Sequence, residues 1–118
     1  MLSALIADDS EIVRVTLRII LTKNGYAKIH EAVDGIEAVE QFKTHSPDVV
    51  TLDVTMGGIN GVEALRQIMA VNPKAKVLMV SAMGQDIIVR DAIKHGAGGF
   101  IVKPFTELQI TDALNKLR

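Results

Sequence analysis

The 118-residue sequence has no cysteine and no tryptophan, and only one tyrosine and three phenylalanines. Without cysteine there can be no disulfide framework, thiolate metal site or thiol nucleophile. With so few aromatic rings, aliphatic side chains must build the core, and a hydrophobic share of 48% supplies them. Charge of one sign is also missing. Thirteen Lys and Arg face fourteen Asp and Glu, for a net charge of −1. That balance lacks the basic footprint of a nucleic-acid binder. No run approaches the ~20 apolar residues of a membrane helix. The opening MLSALIADDS turns acidic early and lacks the basic lead of a signal peptide. The expectation is one soluble cytoplasmic domain over residues 1–118, with no direct nucleic-acid partner and no membrane insertion.

What is present is alternation. Five short aliphatic runs, Leu2–Ala7, Ala27–Ala32, Val49–Leu52, Lys76–Val80 and Gly99–Val102, are separated by segments of helical period. Most of the runs are nearly continuous in apolar character, as strands covered on both faces should be. The segments between them carry stripes such as Val13, Leu17, Ile20 and Leu21, or Ile110, Ala113, Leu114 and Leu117. Punctuation agrees. Asn24-Gly25, Asn72-Pro73 and His95-Gly96 stand where helices should stop. Ser10 and Thr106 stand where helices should be capped. Strict strand–helix alternation predicts an α/β fold with a parallel sheet, right-handed crossovers and helices on both faces. His30, His45 and His95 look scattered at element ends, solvated rather than metal-binding.

Ligands of open α/β sheets gather beyond the carboxyl ends of the strands. Here the first strand ends in Asp8-Asp9, the third in Asp53, the fourth in Ser81 and the fifth in Lys103-Pro104. Three carboxylates, a hydroxyl and an ammonium are thus aimed at one edge. Adjacent carboxylates raise one another's pKa unless a cation sits among them. An all-oxygen donor set of this kind suits Mg²⁺, which keeps several waters and takes one or two carboxylates. Lys103 is a point charge fit for a phosphoryl group, Ser81 a hydroxyl that can donate to it, and a carboxylate can itself accept phosphoryl.

Five segments in order, LIADDS (5–10), VVTLDVTM (49–56), NGVEAL (60–65), VSAMGQ (80–85) and GGFIVKPF (98–105), resemble the receiver domains of two-component response regulators. The closest type is the stand-alone, chemotaxis, CheY-like one. The resemblance covers essentially the whole chain. It implies a three-layer flavodoxin-like (βα)5 fold with strand order 2-1-3-4-5. It implies a signalling switch rather than an enzyme, with Asp53 as phosphoacceptor for a histidine kinase or phosphotransfer domain. Mg²⁺ would be held by Asp9, Asp53 and the backbone carbonyl of Thr55, with Asp8 acting through water. Lys103 and Ser81 would gain the phosphoryl group as a partner they lack. Phe100 would be the aromatic switch, and the Lys103-Pro104 bond would be cis. The surface of the fourth helix, fifth strand and fifth helix would then bind a target, such as a flagellar motor component.

Some residues depart from the family pattern or add to it. Gly57-Gly58 follow Met56 where the family usually has proline, which predicts a freer loop. Met83, two past Ser81, is apolar and cannot position an attacking water, which predicts slow self-hydrolysis. Ile12, Val15 and Ile19 form a second apolar row on the first helix, where the family's kinases dock; shielding by the fifth helix is the alternative. Ile87, Ile88 and Val89 cannot all face the sheet, so one should lie on the output surface. Two other functions are open: a receiver cut from a DNA-binding regulator, and a haloacid-dehalogenase-type phosphatase. The latter needs a second acid where Thr55 stands.

Overall fold

Strands that are aliphatic on both sides bury themselves only between two layers of helices, and that is the arrangement found. The computed structural model describes all 118 residues. Strands β1 (Leu2–Ala7), β2 (Tyr26–Ala32), β3 (Val49–Leu52), β4 (Val77–Ser81) and β5 (Gly99–Val102) alternate with five helices. These are α1 (Glu11–Lys23), α2 (Gly35–His45), α3 (Gly61–Val71), α4 (Asp86–Lys94) and α5 (Glu107–Leu117). All strand pairs are parallel and the order is β2-β1-β3-β4-β5, as the resemblance implies. No helix is long and apolar enough to cross a membrane.

The sheet divides the core in two. Leu5, Val50, Leu52 and Met79 pack with Val39 and Phe42 of α2, Leu65 and Ile68 of α3 and Ala92 of α4. On the other face Ile6, Val49, Leu78 and Val80 pack with Leu17 and Leu21 of α1 and Ile110 and Leu114 of α5. Strand alternation sends neighbouring residues to opposite layers, so β1, β3 and β4 each feed both.

Local chemistry sets where the helices begin. The Ser10 hydroxyl accepts from the Val13 amide at 3.4 Å, and the carboxylate of Asp34 from the Glu37 amide at 2.7 Å. The Asn60 side chain accepts from the Glu63 amide at 3.0 Å. Thr106 and Gln109 cap reciprocally at 3.2 and 2.8 Å. Each such cap stabilises its helix by about 1 kcal/mol. Only α4 starts without one, behind Gln85.

Three strand limits, in two strands, move by a residue. Tyr26, 4% exposed, joins β2, because its ring fills the end of the second core layer. β4 starts at Val77 and runs to Ser81, which pairs with Val102. His30 needs a larger correction, while His45 and His95 stand at helix ends as expected. His30 lies inside β2 and His45 closes α2, and their rings stack with centroids 3.5 Å apart. Burial, then the neighbouring His45, Lys28 and Arg18, push the His30 pKa down. Periodicity cannot show that a strand and a helix 15 residues later present two rings at one place.

Two buried side-chain oxygens have no partner, Gln41 Oε1 and the Thr51 hydroxyl, and the second is the more deeply enclosed. Thr51 is 1% exposed, and its hydroxyl makes no hydrogen bond. A buried polar atom left unpaired costs about 1–3 kcal/mol, and valine has the same shape without it. Thr51→Val should therefore raise the unfolding free energy by about 1 kcal/mol in urea titration. A loss of stability would show that the hydroxyl has a partner.

Candidate functional site

The chain turns sharply where each strand ends, and backbone hydrogen bonds fix where the next side chain points. The Asp8 amide donates to the Ala32 carbonyl at 3.1 Å and the Asp53 amide to the Ala7 carbonyl at 3.0 Å. The Lys103 amide donates to the Ser81 carbonyl at 2.9 Å. Each bond continues the sheet one residue past its last strand position, so the acids and the lysine leave the sheet at one level.

The result is a tight cluster. Asp8, Asp9 and Asp53 each offer a carboxylate oxygen, all within 4.8 Å of one another. Asp8 and Asp53 are buried, at 1% and 5% exposure, while Asp9 is exposed. Lys103 reaches across from β5. Its ammonium donates to Asp8 at 2.7 Å and to Asp53 at 3.2 Å. The expected partnerless lysine is therefore corrected: Lys103 already holds both acids, because two buried carboxylates need a counterion. Ser81 is fully buried, and its hydroxyl accepts from the Met83 amide at 3.1 Å. Its proton remains to be donated.

The electrostatics follow from burial more than from crowding. Asp8 is pushed above the usual carboxylate range chiefly by its own desolvation. Bonds from Lys103 and from the Ser10 amide (2.9 Å) oppose this, and the neighbouring Asp53 adds the smallest push. Repulsion from Asp53 thus acts on Asp8 in the expected direction, but with the Lys103 ammonium between them it is the smallest of the effects. Burial pulls Lys103 down, but its bond to Asp8 and the charges of Asp8 and Asp53 outweigh this, so its pKa rises.

The other expected residues sort as follows. Thr55 is exposed, and its amide donates to Asp53 at 3.3 Å. Phe100 is half-buried on β5, opposite Met79, against the larger core layer. The Lys103-Pro104 bond is cis. Ile12, Val15 and Ile19 are 78%, 51% and 52% exposed, so α5 does not shield them. α1 and α5 meet instead through the core side chains Leu17, Leu21, Ile110 and Leu114 and through Asn24–Thr111 and Lys23–Glu107, each at 3.2 Å. Ile87 is the exposed member of the α4 trio, and Met83 joins it in lining an open groove beside Thr55 and Met56. Gly58 has φ +75°, which explains the residue. Gly57 is not wholly free, because its carbonyl accepts from Gly35 at 3.2 Å.

Two residues of this region escape a reading of the sequence. A side chain at Gly61 would strike the Asp53 carbonyl, and the Gly61 amide donates to Val54 at 2.7 Å. The first turn of α3 thus rests directly on the backbone of the central acid. Gly61 falls inside NGVEAL, but nothing in that string shows what it touches. Arg14 donates to the Asp8 carbonyl at 2.8 Å, and no motif announces it.

The donor set fits a hard divalent cation. It is all oxygen and anionic, one acid is open to solvent, and the backbone of residue 55 lies against Asp53.

Comparison with known proteins adds an independent finding. The family model of the response regulator receiver domain matches residues 4–115. Chemotaxis protein CheY of Thermotoga maritima is 49% identical over 113 residues, covering 96% of this chain and 94% of that protein. CheY of Bacillus subtilis is 46% identical over 112 residues, covering 95% and 93% respectively. A chain of the CheX–CheY–BeF3–Mg²⁺ complex from Borrelia burgdorferi superposes with a TM-score of 0.92 at 38% identity. That match covers 96% of this chain and 86% of the other.

Because the folded pKa of Asp8 lies above its ordinary value of 3.8, the native state holds this proton more tightly than the unfolded chain does. The stability this confers is present below pH 3.8 and is lost as pH rises through the folded value. Asp8→Asn removes that slope. Its stability relative to the wild type should increase from pH 4 toward neutrality in urea titrations. A constant difference across that range would contradict the assignment.

Proposed function

The chain belongs to the response regulator receiver domain family, and from that premise we propose that it is a chemotaxis-type switch, phosphorylated on Asp53 by a histidine kinase or phosphotransfer domain. The observation that carries this reading is the grip of one lysine on two buried acids, with a third acid within 4.8 Å. Such a corner brings a carboxylate nucleophile, an ammonium and an all-oxygen donor set to one place. Asp9, Asp53 and the Thr55 carbonyl would hold Mg²⁺, with Asp8 reaching it through water. An ion held by these residues would supply charge neutralisation for the transferring phosphoryl oxygens.

A carboxylate oxygen of Asp53 attacks the donor phosphorus. The bond from phosphorus to the donor nitrogen or oxygen breaks, and the donor leaves with that electron pair. Lys103 transfers one of its hydrogen bonds from the Asp53 carboxylate to a phosphoryl oxygen, so it exchanges a partner rather than gaining its first. Ser81 turns its free proton toward the same group. This motion opens space beside β5 that the half-buried Phe100 ring fills. Having no hydroxyl, Phe100 reports by packing alone. Phosphorylation adds about −1.5 to −2 charge, which biases an element with two available arrangements.

The α4–β5–α5 surface is the output face for a protein target such as a flagellar motor switch, while Ile87 of α4 is exposed toward the groove beside Thr55 and Met56. Ile12, Val15 and Ile19 form the docking row for the phosphodonor. Assembly of a B. burgdorferi CheY with CheX, in the presence of BeF3 and Mg²⁺, supports a protein as the partner. CheY proteins matched along 94% and 93% of their length favour chemotaxis over a DNA-binding regulator. The phosphatase alternative lacks its second acid at Thr55. A cytoplasmic site of action and a receiver unit spanning residues 1–118 complete the proposal.

Incubation with Mg²⁺ and acetyl phosphate should add one phosphate by intact mass, and Asp53→Asn should lose that labelling. Persistent labelling of the variant would place the acceptor elsewhere. The labelled wild type should decay slowly, and Met83→Glu should change that rate. An unaltered decay would remove Met83 from the account of phosphoryl lifetime.

A further inference from the structure

A second cation reaches the acidic corner, from the β2 edge of the sheet. Arg14 lies in the first turns of α1 with its side chain 14% exposed. Its Nη1 donates to the Asp8 carbonyl at 2.8 Å and its Nε to Glu31 at 2.8 Å. Glu31 stands on β2 in register with Ile6. Its other oxygen accepts from Arg18 at 2.7 and 3.0 Å, and Arg18 also donates to the Ile29 carbonyl at 3.3 Å. The hydrogen bond from Arg18, with help from Arg14 and against the opposing pull of burial, holds the Glu31 carboxyl below the usual range. Arg14 is therefore clamped between a fixed carboxylate and a backbone oxygen of the site.

We propose that Arg14 is a positioning residue for the cation site, acting through the Asp8 carbonyl to fix the Asp8–Asp9 peptide. The proposal rests on the functional reading above. Four hydrogen bonds meet at Asp8: its amide to Ala32, its carbonyl from Arg14, and its two carboxylate oxygens from the Ser10 amide and Lys103. Of these, only the Arg14 bond is made to an atom of the peptide that leads to Asp9, while the Ser10 bond closes a turn across it. Asp9 is exposed and takes part in none of the side-chain hydrogen bonds of the corner, so this peptide is what aims its carboxylate. Coulomb's law alone makes a nearby guanidinium unfavourable to a divalent cation. Glu31 and Arg18 offset that by engaging the charge elsewhere and leaving one directional N–H for Asp8. Groups that orient metal ligands from behind are worth about 10–100-fold in affinity.

Arg14→Lys keeps the charge but cannot reach Glu31 and the Asp8 carbonyl with a fixed fork. Mg²⁺ titration of the full chain by calorimetry should show affinity about tenfold weaker for Arg14→Lys. Acetyl phosphate labelling should recover to the wild-type maximal rate at saturating Mg²⁺. Glu31→Gln, which leaves Arg14 in place but loosens it, should weaken Mg²⁺ by a smaller factor and serves if Arg14→Lys folds poorly. Arg14→Met separates geometry from charge: a positioning role predicts weaker Mg²⁺ binding, a purely electrostatic one tighter binding. Mg²⁺ affinity within about twofold of wild type for Arg14→Lys and Glu31→Gln would overturn the proposal. So would tighter binding by Arg14→Met. A wild type that binds no Mg²⁺ would overturn the functional reading, and this inference with it.

Discussion

Two carboxylates with almost no access to water cannot stay ionised without a counterion, and Lys103 is that counterion. Its bonds to Asp8 and Asp53 connect the ends of β1, β3 and β5 by a single ammonium. Removing one partner of a buried pair leaves an uncompensated charge, which is far more costly than the pair itself is stabilising. The lysine therefore does two things at once. It makes a strand-end cluster of acids tolerable in the resting molecule, and it is stationed where a transferred phosphoryl group would need a cation. A second positive charge entering the corner competes with the first for the same oxygens, so the acids are held in trust rather than idle.

The backbone around this corner has little slack. Gly61 lies against the Asp53 carbonyl, and Gly35 lies so close to Ile59 that a side chain there would strike its backbone oxygen. The first turns of α2 and α3 thus press on the loop that follows Asp53 from both ends. Gly57 adds a third tie through its bridge to Asp34. The freedom expected of two adjacent glycines is confined to the stretch between these ties. The position of Asp53 is thereby tied to the starts of α2 and α3.

Much of this was legible in the letters because strand ends and helix caps are local properties. Asp53 at the end of the largely apolar run Val49–Leu52, or Ser10 three residues before Val13, can be read without knowing any distant contact. The family segments fixed strand order and the cis Lys103-Pro104 bond, which local reading alone could not reach. What stayed hidden were relations between residues far apart in sequence. Nothing in a run of residues says that Lys103 rests on Asp8, 95 positions earlier. Nor does it say that His30 stacks on His45, or that Arg14 reaches back to a carbonyl through a clamp formed by β2. Gly61 was hidden for a different reason: its backbone does not need positive φ, so only the neighbouring carbonyl explains it.

The sheet keeps its two core layers apart, one against α2, α3 and α4 and the other against α1 and α5. Substitutions without shared partners combine additively, whereas neighbours in one cluster interfere. α1 shares its layer with α5, whereas α4 packs in the other, so the proposed output face of α4, β5 and α5 draws on both layers. Over evolutionary time the packing beneath α4 can drift without disturbing α1, whereas that beneath α5 must change in step with it.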